Sequence, residues 1–487
     1  MIKNGIHLTS VIKLAIYPIL TVGCLFTLFG FASLTVFRDN LHSIFFELGA
    51  LYMGCALILW SATRRVIVSI RIKVAPLFAV LSWLIVGLLS AVPISIVTHV
   101  DFMHAAFESF SALTTTGATI LSGLDSLPPS FLIYRQFLQW LGGLGIVIFV
   151  VAILPNLNVG GMKLLKSEVP GPIKDDKLAA RTMKTTHYLW SVYVFITALC
   201  AIAYYAAGMD IYDAFAHSLT TVSTGGFSIH DASLGWYHSE AIYLVSDIFM
   251  IIGALNFGIH FKLLKTKDVR LLFQNEESRV FLLLCLTISI ISFLLLIQND
   301  DGISKLKSLN HATFIVISFI TSTGFGAENF ATWPIAILFL LIISSYLGGC
   351  SGSTAGGSKI IRTIIIFKLV RREIKRLIHP KGVFAIKYQG KSISSDIVRN
   401  TTAFIFFVIL SSLALTLLLM TTGLDLWSSL SAVSSCLNVL GPAFGVLSDN
   451  FQPVSNTGLA ILTFAMILGR LEFLTVVVLF APKFWRS

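Results

Sequence analysis

Charged side chains are scarce in this chain: Lys, Arg, Asp and Glu make up 12% of its 487 residues, about half the share in an ordinary soluble domain. With 56% hydrophobic residues and a mean hydropathy of +0.86, that scarcity excludes a string of water-soluble domains and leaves a polytopic membrane protein. Cysteine is scarce too. The six, Cys24, Cys55, Cys200, Cys285, Cys350 and Cys436, are scattered with no Cys-x-x-Cys pair, so a cysteine zinc site has no ligands and packing in apolar segments is the expected role. No His-Glu-x-x-His, no paired aspartates in a glycine-rich setting and no His/Cys metal spacing occurs. An intramembrane enzyme therefore has no machinery, and no cofactor is expected in this chain. No extramembrane stretch is large enough for a sensor domain.

What is abundant is apolar sequence. Spans long enough for a bilayer, about 20 residues each, lie near 11–36, 43–63, 76–98, 133–154, 186–207, 241–261, 280–297, 333–370, 401–421 and 457–480. The first runs unbroken past Val22-Gly23-Cys24, too long for the core of a signal peptide, and reads as a retained helix. Acidic residues number 24 against 35 basic, a net charge of +11. Threading the ten spans puts 28 of the 35 basic residues on one face. The positive-inside rule then orients both termini to the cytoplasm and accounts for the charge without a nucleic-acid partner.

Between spans lie four short amphipathic runs, each ending in a glycine turn: Thr114-Thr115-Thr116-Gly117, Ser223-Thr224-Gly225-Gly226, Ser322-Thr323-Gly324 and Asn438-Val439-Leu440-Gly441. The runs begin at Asp101, at Asp210 or Asp213, at Asn310 and at Asp425, residue types that cap a helix. Phe107, Phe215 and Phe314 stand ten residues before Gly117, Gly225 and Gly324, with Ser431 in that place before Gly441. The unit of about 100 residues is helix, re-entrant helix, filter turn, helix, repeated four times. Irregular backbone survives at membrane depth only when buried in protein or lining a water-filled path. A ring of backbone carbonyls that replaces the hydration shell of a cation meets that condition. Glycines that merely terminate helices would explain one copy but not four aligned ones.

The expected fold is thus all-α: an N-terminal two-helix unit over 1–74, then pore repeats over 75–184, 185–279, 280–399 and 400–487, arranged pseudo-fourfold around one pore. The expected filter residues are Thr115, Thr116 and Gly117; Ser223, Thr224 and Gly225; Ser322, Thr323 and Gly324; and Asn438, Val439, Leu440 and Gly441. The fourth copy lacks hydroxyls, which matters little if carbonyls coordinate.

These residues resemble the Trk/Ktr/HKT superfamily of potassium transporters, most closely its bacterial TrkH/TrkG branch. The resemblance is carried by Phe107 to Thr119, Tyr134 to Gly143, Gly225-Gly226-Phe227-Ser228-Ile229-His230-Asp231, Gly348 to Thr354, Asn438 to Pro442 and Gly469-Arg470-Leu471-Glu472. It implies potassium ions bound in the filter, a homodimer in the bacterial inner membrane, and cytoplasmic TrkA-type regulatory subunits that bind nucleotide. Symport coupled to protons or sodium is the rival reading of the transport.

Two further features lie away from the filter turns. As one helix, 333–370 would measure about 57 Å at 1.5 Å per residue, so it must break at Gly348-Gly349-Cys350-Ser351-Gly352-Ser353-Thr354 and on to Ser358. The order Gly357-Ser358-Lys359 departs from a phosphate-binding loop, and an intramembrane gate over 348–358 is expected instead. Arg470, near the middle of the last span, is costly there and is expected to face the cavity below the filter as part of that gate. Glu472, two residues on, does not share its helical face. Glu108 and Asp247 are intramembrane acids expected to serve as scaffold, Arg135 a filter brace, and the glycines of Trp140-Leu141-Gly142-Gly143-Leu144-Gly145 a helix-packing surface. The basic run Arg371 to Arg376, with a hairpin at Gln389-Gly390, is a solvated loop or a docking surface.

Overall fold

The computed structural model describes residues 8–66, 74–148, 175–298, 304–327, 330–471 and 473–482. It opens with two antiparallel helices, α1 (Leu8–Ala32) and α2 (His42–Thr63). They approach through glycine: a Cβ on Gly49 would lie 2.7 Å from Thr27 Oγ1. Four units follow, each a long helix, a short helix, a turn and a second helix. They are α3 (Val74–Thr98), α4 (Phe102–Leu113) and α5 (Pro129–Ile148); α6 (Asp175–Ala206), α7 (Ile211–Val222), α8 (Glu240–Ala254) and α9 (Phe257–Thr266). After the short α10 (Arg270–Gln274) come α11 (Glu276–Ile297), α12 (Lys305–Ile320), α13 (Ile335–Leu347) and α14 (Ile360–Ile378). The last unit is α15 (Ser395–Met420), α16 (Leu426–Asn438), α17 (Asn456–Arg470) and α18 (Phe473–Val477). Between α14 and α15, Lys387–Tyr388 pairs antiparallel with Lys391–Ser392 around Gln389 and Gly390, both at positive φ, as the turn sequence predicts.

Among the described residues six helices are long and apolar enough to cross a membrane. Two spans read as continuous are not, and a third breaks where expected. The 241–261 stretch bends by 102° between α8 and α9, because Asn256 leaves the helix to cap the next one, accepting from Gly258 N at 2.7 Å. The last span stops at Arg470, and residues 473–480 continue as α18 and a 3₁₀ turn. The 333–370 stretch breaks over 348–359, as its length requires. Residues 149–154 of the fourth span and Glu472 lie outside the described residues. The third short helix starts at Lys305, five residues ahead of Asn310, whose amide donates to Glu240 Oε2 at 3.0 Å instead of capping.

The buried core is split in two. One cluster centres on the second and third units, from Leu189 through Phe319 to Ile365, and reaches the fourth through Ile397 and Phe444. The other joins α1 and α2 to the first and fourth units, from Phe26 through Phe107 to Leu468. Second helices pack onto their own short helix through glycine, since a Cβ on Gly142 would lie 1.8 Å from Leu113 O and one on Gly469 2.0 Å from Leu437 O. Close helix packing is thus what the glycines after Trp140 provide.

The loops that follow the first two turns are clasped together. Asp231 accepts from Gly123 N at 2.8 Å and Leu124 N at 3.1 Å, while the His230 ring bonds Asp125, reaches Asp213 at 3.5 Å and stacks on Trp236 at 4.5 Å. Burial pushes the His230 pKa down, but hydrogen bonds to Asp213 and Asp125 outweigh it and leave the value raised. A raised histidine pKa stabilises the fold fully below the unfolded value of about 6.5 and loses that contribution as pH rises through the folded value. The loss of thermal midpoint in His230→Asn should therefore be largest in mild acid and shrink as pH rises through the raised folded value; a pH-independent loss would contradict the clasp.

Candidate selectivity filter and gate

The four short helices end in one conformation. After the last helical turn comes a residue forced to positive φ: Thr115 (58°), Thr224 (51°), Ser322 (53°) and Val439 (59°). The next amide folds back to the carbonyl five residues earlier, each time at 2.8 Å: Thr116 to Ser111, Gly225 to Thr220, Thr323 to Ser318 and Leu440 to Ser435. The residue after that is glycine at positive φ, Gly117 (80°), Gly226 (74°), Gly324 (83°) and Gly441 (106°). The second copy is therefore one residue out of the register read from sequence, where Gly225 was aligned. Gly225 occupies the place of Thr116, Thr323 and Leu440. The phenylalanine aligned with Gly225 agrees with the correction: Phe215 is 46% exposed, whereas Phe107, Phe314 and the residue now equivalent, Ala216, are buried.

In this register the turns close on one another. A Cβ on Gly117 would lie 2.1 Å from Gly225 O, one on Gly226 1.8 Å from Thr323 O, one on Gly324 2.0 Å from Leu440 O and one on Gly441 2.7 Å from Thr116 O. Each glycine faces the carbonyl of the next turn, and the fourth returns to the first. Only hydrogen fits at these four positions. Hydroxyls are spent locally, Thr114 on Thr116 and Thr321 on Thr323, both at 2.8 Å. The fourth turn, with Val439 and Leu440, keeps the same backbone without them, though a β-branched residue at positive φ is rare.

Braces hold the ring from outside. Gln139 on α5 donates to Gly225 O at 2.8 Å and accepts from Phe227 N at 3.1 Å, matching the second turn's backbone. Arg135, fully buried, donates to Glu108 Oε1 from Nε at 3.0 Å and Nη2 at 2.5 Å, and its guanidinium lies 4.2 Å from the Phe227 ring centre. Glu108 also accepts from Ile120 N at 3.0 Å and Thr119 Oγ1. Glu108 is thus scaffold and Arg135 a brace, as the sequence suggests. Gln139 was missed there, although Arg135 and Gln139 stand four apart on one face of α5.

At the helix C-termini below the ring, the loop between α13 and α14 is stitched to three units. Cys350 N donates to Ala254 O at 2.8 Å, and Thr354 Oγ1 to Gly253 O at 3.0 Å and Val222 O at 3.1 Å. Gly356 N reaches Ser322 Oγ at 2.5 Å, and Gly357 N reaches Asn438 O at 3.2 Å. Arg470, 3% exposed, donates from Nη1 to Thr354 O at 2.8 Å and from Nη2 to Gly142 O at 3.1 Å, which brings in the first unit. Among the described residues, backbone carbonyls from other units and no carboxylate meet its charge. A small cavity beside it is lined by Gly357, Lys359, Arg362, Asn438 and Phe473. Of the expected gate residues, Gly348, Gly349, Ser351, Gly352 and Ser353 shape the loop, and Cys350 and Thr354 anchor it.

Comparison with known proteins agrees with this geometry. Residues 42–487 match the TrkH family, described as a cation transport protein. The chain is 41% identical over 454 residues to the Trk system potassium uptake protein TrkH of Salmonella typhimurium, covering 93% of this chain and 94% of that one. It is 36% identical over 430 residues to TrkG of Escherichia coli, covering 88% of each. The crystal structure of the potassium transporter TrkH from Vibrio parahaemolyticus aligns with a TM-score of 0.90 at 35% identity, over 99% of this chain and 100% of that one.

The two registers make opposite forecasts. Gly226→Ala places a methyl against a backbone carbonyl at a positive φ that costs an L-residue about 1 kcal/mol or more, and should abolish discrimination between potassium and sodium in vesicle flux. Gly225→Ala meets the Gln139 side-chain amide rather than backbone; it displaces one brace but leaves the ring contacts in place, and should retain more of it. The reverse order would restore the sequence register.

Proposed function

Because the chain belongs to the TrkH family of cation transport proteins, we propose that it carries potassium into the cell through the ring of Gly117, Gly226, Gly324 and Gly441. The observation that carries this is the cyclic closure of four glycines on four carbonyls, a geometry suited to replacing the water around a potassium ion. Four short helices end at the ring, and their C-terminal partial charges favour a cation there. The protein is a multi-pass membrane transporter; its membrane is the bacterial inner membrane, with the basic face and both termini in the cytoplasm. It works as a homodimer with cytoplasmic nucleotide-binding subunits, for which α14 and the 387–392 hairpin offer a basic surface.

The 348–359 loop and Arg470 form the gate. Bound to turns two, three and four, the loop lies across the way out of the ring, and the guanidinium opposes a cation electrostatically while tying the loop to the first unit. Arg470→Ala should raise potassium flux through the protein without its partner about tenfold or more, since it removes two charged hydrogen bonds from the closed loop. Unchanged flux in potassium-loaded vesicles would refute the gate.

Obligate coupling to a proton has one observation in its favour: Asp247 Oδ1 on α8 is buried without a hydrogen-bond partner among the described residues. If flux follows the membrane potential alone, Asp247→Asn leaves the reversal potential and its pH independence unaltered. A pH-dependent reversal potential that Asp247→Asn abolishes would establish the symport reading.

A further inference from the structure

Glu277, in the first turn of α11, is 3% exposed. A single carboxylate oxygen, Oε1, accepts from Ser351 N at 2.6 Å and from Ile361 N at 3.2 Å. Ser351 is near the start of the gate loop and Ile361 is the second residue of the helix that follows it, so one atom pinches both ends of the loop together. The helix needs this. Its capping position, Lys359, sits at φ 68° and makes no side-chain cap; Ile360 N is met by Gly349 O at 3.1 Å and Arg362 N by Lys359 O at 3.0 Å, which leaves the Ile361 amide between them to Glu277. Asn275 fixes the donor of that help, capping α11 through Ser278 N at 3.0 Å. The Lys359 ammonium turns inward to Ala355 O, drawing the loop's middle toward the same point. Next to it, Glu276 pairs with Lys368 of α14 and accepts from Gln389 N at 3.1 Å in the hairpin turn.

We propose that Glu277 is the latch of the gate: a positioning residue that keeps the 348–359 loop under the filter, and that releases it when α14 and its hairpin are drawn away from α11. This rests on the gate reading above. Glu276 and Glu277 divide the work by neighbouring positions on one turn, the first holding the helix and hairpin and the second the loop. Movement of the hairpin therefore reaches Ser351 through Ile361 and one shared oxygen.

Cys350 reports on the latch because it is fully buried and adjoins Ser351, while Cys200 and Cys436 are buried elsewhere and Cys24 and Cys55 are exposed. In the full-length protein in vesicles, modification by N-ethylmaleimide is followed cysteine by cysteine by mass spectrometry, alongside partner-free potassium flux. Glu277→Ala is expected to speed modification of Cys350 about tenfold or more, as the loss of hydrogen bonds to a buried charge implies, with Cys200 and Cys436 unchanged and flux raised. Glu277→Gln, which keeps an oxygen in place, should protect Cys350 nearly as well as the native residue. Glu277→Asp, one methylene short, should fall between and serves if the alanine variant does not fold. Unaltered protection of Cys350 in the alanine and aspartate variants overturns the latch, as does equal exposure of Cys200 and Cys436. Exposure of Cys350 without any rise in flux upholds the latch and places the failure in the gate reading, which Arg470→Ala judges separately.

Discussion

Four glycines pressed against four carbonyls are the contact on which this structure depends. At each junction the distance leaves room for a hydrogen and nothing larger, so the four turns have only one way to meet. Backbone polar groups at membrane depth cannot be left to lipid, and the turns answer by folding an amide back onto their own helix and setting a carbonyl against the glycine of the neighbouring turn. Long helices, braces and core are arranged to keep that ring closed. The two halves of the core, one centred on units two and three and one on units one and four, have the ring and the loop below it as shared ground.

Around the loop below the ring, buried charge is met by backbone. Arg470 binds carbonyls of two other units, Lys359 a carbonyl of its own loop and Glu277 two amides. The buried Arg135–Glu108 pair is the exception, and it too spends its remaining lone pairs on Ile120 N and Thr119. A buried charge is costly unless hydrogen-bonded, and carbonyls and amides freed at helix ends are the partners a membrane protein has in supply. The broken helix between α13 and α14 creates those free groups, and the charged side chains consume them.

Much of this was legible in the sequence, because it rests on length and spacing. The four glycine turns, the short helices capped by Asp101 and Asp425, the break in 333–370 and the hairpin at Gln389-Gly390 all follow from rules that act within a few residues. The second turn misled, since Gly225-Gly226 offers two glycines and only the backbone angles choose between them. The bend after Ala254 was hidden because apolar composition stays high through it and a lone Asn256 does the work. The roles of Gln139 and Glu277 were hidden for another reason: their partners are backbone groups 86 and 74 residues away, so even where spacing marks a polar face, as Arg135 and Gln139 do, the sequence does not say what that face binds.

The fourth turn shows what a repeated unit is free to change. It has lost every hydroxyl and carries a valine in a conformation that valine resists, yet its glycine and its carbonyl hold their places. In a ring, each member's error falls on its neighbour: a side chain at Gly441 would strike Thr116 of the first copy, not anything in its own. The four copies therefore differ in their side chains but constrain one another's backbone, and the ring as a whole, rather than any single repeat, decides which positions have room only for glycine.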